Sequence, residues 1–378
     1  MSVVSSAETV TPSTASEAAG FLLQAAHDRT RVTPVGCRSR LHLATDPSRL
    51  IALSCCGLTT GFAHHAGDLV ATVPAGLSLS AANASLASQG QWIPLDPLAG
   101  SHTTIGGLVA MNDSGPRRHG YGSPRDLIIG IEVALANGTV AHGGGRVVKN
   151  VAGYDLGRLF CGSRGSLGLI TAVTFKLAPL PRASRTVVAH YASAADAARA
   201  ALVLARSALT PSCLEVVAPE PRLLVRFEST ASSADRMAEH TRALLAGASR
   251  ADIVRDENER AVWERHHATF EVAPRVDKLV ALPMRVPDLL EELTRLADVT
   301  ALSARPAVGV VDIVTNGPRP HPALARVTST LEAHVDVVRG DPHDPLTVEP
   351  PRSTAGVMRA VKQQFDPAGI LAWPWEPR

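Results

Sequence analysis

Asp96-Pro-Leu-Ala-Gly-Ser-His-Thr-Thr-Ile-Gly-Gly107 opens the stretch whose reading decides the fold. It continues through Asn112-Asp-Ser-Gly-Pro-Arg-Arg-His-Gly-Tyr-Gly-Ser-Pro-Arg-Asp126 and closes with Lys149-Asn-Val-Ala-Gly-Tyr-Asp155 and Gly165-Ser-Leu-Gly-Leu-Ile170. Glycines are dense here but irregularly spaced between short aliphatic runs, so bare backbone comes close to something at several points. A chain wraps a large planar or phosphorylated ligand in this way. Thr103, Thr104, Ile105, Gly106 and Gly107 offer two hydroxyls and consecutive amides, the parts that solvate a pyrophosphate without a lysine. The spacing is neither GxGxxG after a strand nor a Walker loop, and taken alone Thr-Ile-Gly-Gly reads as an ordinary turn.

Working outward, residues 1–12 are small, polar and aperiodic, and are expected to be disordered. Thr14-Ala-Ser-Glu17 has capping-box spacing, and Ala18, Phe21, Leu22, Ala25 and Ala26 recur at helical intervals up to about His27. A short strand at 32–35 then runs into Gly36, Cys37, Arg38, Ser39 and Arg40, read as a strand-to-loop turn with exposed amides. Strands follow at 50–54 and 68–73, then a helix capped by Ser78 or Ser80 that ends at Gly90. Residues 127–136 and 139–142 predict a hairpin turning at Asn137-Gly138, which tolerates positive φ. A strand at 169–177 stops at Pro179-Leu-Pro181, the preferred domain boundary. Beyond it, helices at 193–207, 232–246, 287–297 and 320–334 alternate with strands near 213–217, 222–228, 277–284 and 307–314. That alternation describes an antiparallel sheet backed by helices.

A chain of 378 residues exceeds one ordinary core and favours two domains or three. With 45% hydrophobic residues, and 37 basic residues scattered among 35 acidic ones, it should be globular and without a nucleic-acid-binding stripe. No apolar run approaches the roughly 20 residues that span a bilayer, and no basic-then-apolar leader opens the sequence, so the expected location is cytoplasmic, with membrane association only through partners. Cys37, Cys55, Cys56, Cys161 and Cys213 make no CxxC spacing and read as free thiols. No metal site is expected.

Leu95-Asp-Pro97, Thr104-Ile-Gly-Gly107, Ala110, Asn112, Gly115, Tyr121-Gly122, Arg125-Asp126, the hairpin ending in Gly138, Lys149 to Asp155 and Gly165-Ser-Leu-Gly168 follow one another in an order that resembles the PCMH-type FAD-binding domain of the vanillyl-alcohol-oxidase family. Within it, the run from Gly144 to Leu156 is most similar to the FAD-binding E subunits of glycolate oxidases. The resemblance covers 30–181 well and 182–350 only in general layout, and Phe365-Asp-Pro-Ala-Gly-Ile370 resembles the family's C-terminal signature. It implies an α+β fold: a PCMH-type FAD-binding domain of two α+β subdomains over 13–181, an α+β cap or substrate domain over 182–350, and a C-terminal helix and tail over 351–378 returning to the FAD domain.

The same resemblance implies cofactor contacts. The turn Gly36, Cys37, Arg38 and Ser39 and the segment Thr103, Thr104, Ile105, Gly106 and Gly107 should line the pyrophosphate, with Asn112 and Gly115 along the flavin side and backbone contacts from Gly168 and Ile170. Asp96 and Gly122 belong to the same implied set. Asp126 either meets the flavin or ties its own loop to backbone amides, and Lys149 either neutralises cofactor charge or is solvated. Cys37 stands where the family has a small glycine, and no histidine occupies the covalent-attachment position, so FAD should be noncovalent. Trp373-Pro-Trp375 replaces the family's Asn-Pro-Gly.

The His-x-His metal motif of catalytic relatives is missing, His64-His65 and His266-His267 read as diverging side chains, and 307–311 reads as purely structural. The implied function is a subunit of a glycolate (2-hydroxy acid) oxidase or dehydrogenase. It would pass electrons through flavin to a sister flavoprotein and iron–sulfur subunits. A non-catalytic FAD-bearing relay or assembly subunit, or a stand-alone FAD-linked alcohol oxidase, are the alternatives. The catalytic base is not identified: Arg117, Arg118 and His119 are candidates for substrate contact, against the plainer reading of a solvated basic loop.

Overall fold

The computed structural model describes residues 8–36, 50–98, 100, 102–145, 155–316, 322–339 and 352–372. The chain divides into two units: Met1–Asp113 with Ser123–Leu180 and Glu349–Arg378, and Ser114–Gly122 with Pro181–Val348.

In the first unit the helix Ala15–Asp28 begins where its cap predicts, with the Thr14 hydroxyl accepting from the Glu17 amide at 3.1 Å. Arg29 at φ 55° ends it. Ala18, Ala19, Leu22 and Ala25 on one face are buried in the core with Leu53, Val73, Ile105, Leu108, Val133 and Phe175. A parallel three-stranded sheet places Leu50–Ser54 between Thr9–Val10 and Arg31–Val35. A five-stranded antiparallel sheet runs in the order Ala63–His65, Val70–Pro74, Leu169–Lys176, Ile128–Ala134, Val140–Gly144. Its hairpin turns at Asn137-Gly138 as the sequence predicts, with Gly138 at φ 83°. The C-terminal helix Arg352–Phe365 packs Phe365 edge-on against Phe160 at 5.5 Å.

The second unit is an eight-stranded antiparallel sheet. Its order is Arg250–Arg255, Ala183–His190, Arg222–Ser229, Cys213–Ala218, Val299–Arg305, Val310–Thr315, Val276–Val280, His334–Arg339. Leu214, Val216, Val225, Phe227, Leu302, Ala304, Val311 and Ile313 form one apolar face. The helices Ala194–Leu204, Ala231–Leu244, Val286–Thr294 and Pro322–Thr330 cover it. Alternation sends Glu215, Arg226, Glu228, Ser303, Arg305 and Asp312 to the opposite face.

In the first unit Thr9–Val10 is a strand within the stretch 1–12 expected to be disordered, held by pairing with Leu50–Ser54. In the second unit four strands go beyond the sequence reading: Ala183–His190, Arg250–Arg255, Val299–Arg305 and His334–Arg339. The helix Asp256–Glu271 does too, and it packs Trp263 against Val188, Cys213, Val217 and Leu224. The expected helix at 320–334 is shorter than read, because His334 already begins the edge strand.

Candidate functional site

In the first unit three segments meet around the helix Ile105–Ala110. Thr104 caps it, its hydroxyl accepting from the Gly107 amide at 3.3 Å. Gly36 ends its strand directly beside that cap: a Cβ added at Gly36 would lie 2.2 Å from the Thr104 Oγ1. At the helix's far end the Gly162 amide donates to Val109 O at 3.0 Å and the Arg164 amide to Ala110 O at 2.9 Å. These bonds draw in the turn 162–168. Asn112, at φ 46°, accepts from the Cys161 thiol at 3.3 Å through its side chain. Gly165 packs against Pro34, which a Cβ would approach to 2.9 Å. Gly36, Thr104, Gly107, Asn112 and the turn leading to Gly168 are thereby knitted into one region.

The use of the amides differs from the expectation. The Ile105 amide donates to Leu77 O at 2.8 Å and the Gly106 amide to Ala75 O at 2.9 Å. Those two donors are committed to a neighbouring segment, and Gly107's serves the cap, so the helix start offers a phosphate less than its sequence suggests. Gly106 faces inward, where a Cβ would sit 3.0 Å from Ala75 and 3.3 Å from the Cys55 sulfur. A Gly106→Val change would therefore break packing in the core. Thr103 and Asp96 are buried, and the Thr103 hydroxyl donates to Gly100 O at 3.1 Å. Asp126 closes a capping box, accepting from the Ser123 amide and hydroxyl at 2.8 Å each, which is the loop-tying role. Ile170 buries its side chain in the core at the start of its strand. Cys37, Arg38, Ser39, Arg40, Lys149 and the Trp373-Pro-Trp375 run lie outside the described residues.

Gly115 and Gly122 group with the second unit, in the segment Ser114–Gly122. That segment is not a solvated basic loop. Arg117 grips Glu228 with its Nη2 at 2.8 Å from Oε1 and its Nε at 3.2 Å from both oxygens, and the Glu228 side chain is 1% exposed. The Gly120 amide donates to Ser212 O at 3.0 Å, and Arg305 Nη1 to Ser114 O at 3.0 Å. Burial works to raise the Glu228 carboxyl, but Arg117 and Arg226 outweigh it and hold it below the usual range.

Around this anchor the sheet carries a buried polar network that the sequence reading left out. Arg226 meets Glu259 at 2.7 Å and lies 5.4 Å from the Trp263 ring centroid. Ser303 bonds to Glu215 and stands 3.1 Å from His266 Nε2, and Arg305 pairs with Asp312. With the Ser303 proton directed at the Glu215 carboxylate, His266 Nε2 is the donor to the Ser303 oxygen. Burial, then His267 and Arg305, push His266 well down, and burial, then Arg117, Arg226 and Arg305, push His267 to about 4. Burial also lowers His119, and raises the Tyr121 phenol to about 12 with help from Glu228. The adjacent histidines do not diverge as read: their ring centroids are 5.7 Å apart. Strand alternation in Leu214-Glu215-Val216, Val225-Arg226-Phe227-Glu228 and Leu302-Ser303-Ala304-Arg305 was the signal for this face.

Residues 7–144, most of them in the first unit, match the family described as FAD binding domain. Among relatives, the chain is 40% identical over 158 residues to glycolate oxidase subunit GlcD of Bacillus subtilis, a match covering 42% of this chain and 33% of that one. It is 45% identical over 118 residues to glycolate oxidase subunit GlcE of Escherichia coli, covering 31% and 34%. To the mitochondrial D-lactate dehydrogenase (cytochrome) of Arabidopsis thaliana it is 37% identical over 153 residues, covering 40% and 27%. The matched stretches thus span about a third of the length of these curated relatives. Alkyldihydroxyacetonephosphate synthase, at 14% identity and a TM-score of 0.72 over 97% of this chain and 76% of that one, shares the α+β fold.

The residues of the FAD-binding domain fit that cofactor. Gly36 and Gly107 let their backbones pack tightly against the Thr104 side chain, which fills the space a Cβ would take at either, so that the Thr104 hydroxyl and the end of the Arg31–Val35 strand lie together. In the turn, the buried Ser163 Oγ has no hydrogen-bond partner among the described residues, which leaves a donor and acceptor that a polar ligand could meet. Among the described residues there is no group of His, Cys, Asp and Glu arranged to hold a metal, and no helix long and apolar enough to cross a membrane.

Proposed function

We propose that this chain is the FAD-carrying subunit of an oxidoreductase acting on a 2-hydroxy acid of the glycolate or D-lactate class, with the cofactor held noncovalently. The observation that carries the reading is the gathering of Gly36, Thr104, Gly107 and Asn112, which lie within the stretch that matches an FAD-binding family, with the turn 162–168, whose Ser163 hydroxyl has no hydrogen-bond partner among the described residues. FAD when bound supplies the hydride acceptor for oxidation of the substrate's CH–OH carbon. The chain's own part is to hold the pyrophosphate beside Gly36 and Thr104 and to present backbone at 163–168. Two of the relatives are named as subunits of glycolate oxidase, which supports a multi-subunit assembly; in this reading a sister flavoprotein and iron–sulfur subunits would be the electron partners.

A second reading, an FAD-bearing relay subunit without its own turnover, is favoured by the state of Arg117. Its guanidinium is committed to Glu228 and is not poised for a substrate carboxylate.

Two measurements test these readings. Titration of the apoprotein with FAD should quench flavin fluorescence and raise thermal stability, and acid precipitation should release the flavin into solution. A protein that neither quenches nor stabilises ends the FAD assignment. Anaerobic mixing of the flavin-loaded chain with glycolate or D-lactate then separates the two functions. Bleaching of the flavin band at roughly 450 nm supports turnover by this chain, and a band that persists supports the relay.

A further inference from the structure

We propose that Lys362 is a positioning residue for the cofactor, a buried ammonium that clasps the turn 163–168 and the segment 370–372 about the strand leading to Gly36. The proposal rests on the FAD reading above.

Lys362 lies in the last turn of the helix Arg352–Phe365, nine-tenths buried, where a cation also complements the helix dipole. An ammonium has three donors. One goes to Ser166 O at 3.0 Å, one to Leu371 O at 2.7 Å and one to the Asp366 carboxylate. None remains for a ligand phosphate, so Lys362 acts on the cofactor only through what it holds.

It holds two things. Asp366 turns the chain back by accepting from the Ile370 amide at 3.0 Å and the Leu371 amide at 2.7 Å. The returned segment pairs in parallel with the strand Arg31–Val35: the Val32 amide donates to Ile370 O at 2.8 Å, and the Ala372 amide to Val32 O at 2.9 Å. From the same ammonium, the bond to Ser166 O fixes the turn that carries the unpartnered Ser163 hydroxyl, whose Gly165 packs on Pro34 of that strand. One side chain thus sets the register between the strand that ends at Gly36 and the turn that ends at Gly168. A charge this deeply buried, shared between two backbone carbonyls and the Asp366 carboxylate, costs more than helix anchoring requires, since Phe365, Ile370 and Leu371 already pack in the core.

The test compares FAD affinity in wild type, Lys362→Met, Lys362→Arg and, as a stability control, the cavity variant Leu22→Ala in the same unit. Lys362→Met should weaken FAD binding about tenfold or more, the scale on which residues supporting a ligand shell act. Leu22→Ala should lower the melting temperature without that loss, and Lys362→Arg should recover part of the affinity. In the apoprotein, Lys362→Met should speed amide exchange at 163–168 and 31–35. Should Lys362→Met not fold, Asp366→Asn, which keeps the ammonium, carries the same expectation in smaller measure. If wild type binds FAD and the clasp variants bind equally well, or if Leu22→Ala weakens binding as much, the positioning role is overturned. If wild type binds no FAD, the cofactor reading falls and this inference with it.

Discussion

Acidification should loosen the second unit well before its carboxylates begin to protonate. His267 sits on the polar face among Arg117, Arg226, Arg305 and His266, and burial with those cations drives its pKa from 6.5 to about 4. Between these values the unfolded chain takes up a proton that the folded one refuses. The unfolded state then binds more protons, so stability rises with pH and falls on acidification. From pH 7 to pH 5 this one imidazole should cost about 2 kcal/mol, the slope rising toward its limit of about 1.4 kcal/mol per pH unit only once pH is below the unfolded value. His266 and His119, both lowered chiefly by burial, add to the loss in the same direction. Glu228, held below the usual carboxylate range, contributes stability that is present above about 4.5 and lost only as pH falls through its lower folded value, a separate and more acid window.

Urea unfolding at half-unit steps between pH 7.5 and pH 5, read by pulsed amide exchange in the strands Cys213–Ala218 and Arg222–Ser229, isolates this unit from the rest of the chain. His267→Gln should leave stability at pH 7 little changed and should flatten the profile by about 2 kcal/mol over the same interval. A wild-type profile that is flat down to pH 5, or an unchanged slope in His267→Gln, would refute the argument that these imidazoles are held neutral by burial among arginines.

Two further outcomes follow from the packing. Gly36→Ala places a methyl group 2.2 Å from the Thr104 hydroxyl and should destabilise the first unit by about 1–3 kcal/mol. Thr104→Ala, which loses a cap worth about 1 kcal/mol, should relieve that clash, so a double variant as unstable as the sum of the singles in thermal melts contradicts the contact. Glu228→Gln leaves Arg117 and Arg226 short of a buried counter-charge and should cost about 3 kcal/mol or more. It should also open the segment 114–122 to proteolysis, and resistance equal to wild type would show that the Arg117 pair does not anchor it.

The first unit was legible in the sequence wherever local chemistry decides structure. Thr14 and Ser78 cap their helices, and Asn137-Gly138 turns its hairpin, because each signal acts within a few residues. What was not legible depends on distant partners. Nothing near Ile105 and Gly106 shows that Leu77 and Ala75 will take their amides, and the clasp joins Lys362 to Ser166 across 196 positions. In the second unit, Arg250–Arg255 and the helix Asp256–Glu271 are too charged to stand out as core elements. The first is an edge strand with Arg250 and Arg255 at its ends, a composition that discourages edge pairing. The second shields a polar sheet face, so its inward residues include Glu259 and His266.

The charge pattern of that face bears on which substrates this unit could recruit. Arg117, Arg226 and Arg305 contact Glu228, Glu259, Glu215 and Asp312, so three cations meet four carboxylates. A substrate carboxylate approaching Arg117 would have to displace Glu228, an anion already desolvated and bound through several hydrogen bonds. The pre-paired geometry makes Arg117 a strut for its own segment and a poor clamp, since the entering anion would exchange one carboxylate contact for another and leave the buried Glu228 with Arg226 alone. His267 is differently placed: it is neutral and half-buried, and the surrounding arginines disfavour its imidazolium. Any proton it accepted would be held weakly, with a conjugate acid near pKa 4 unless an anion bound beside it raised that value. A carboxylate ligand would therefore announce itself on this face as an upward shift in the His267 titration more than through a new arginine pair.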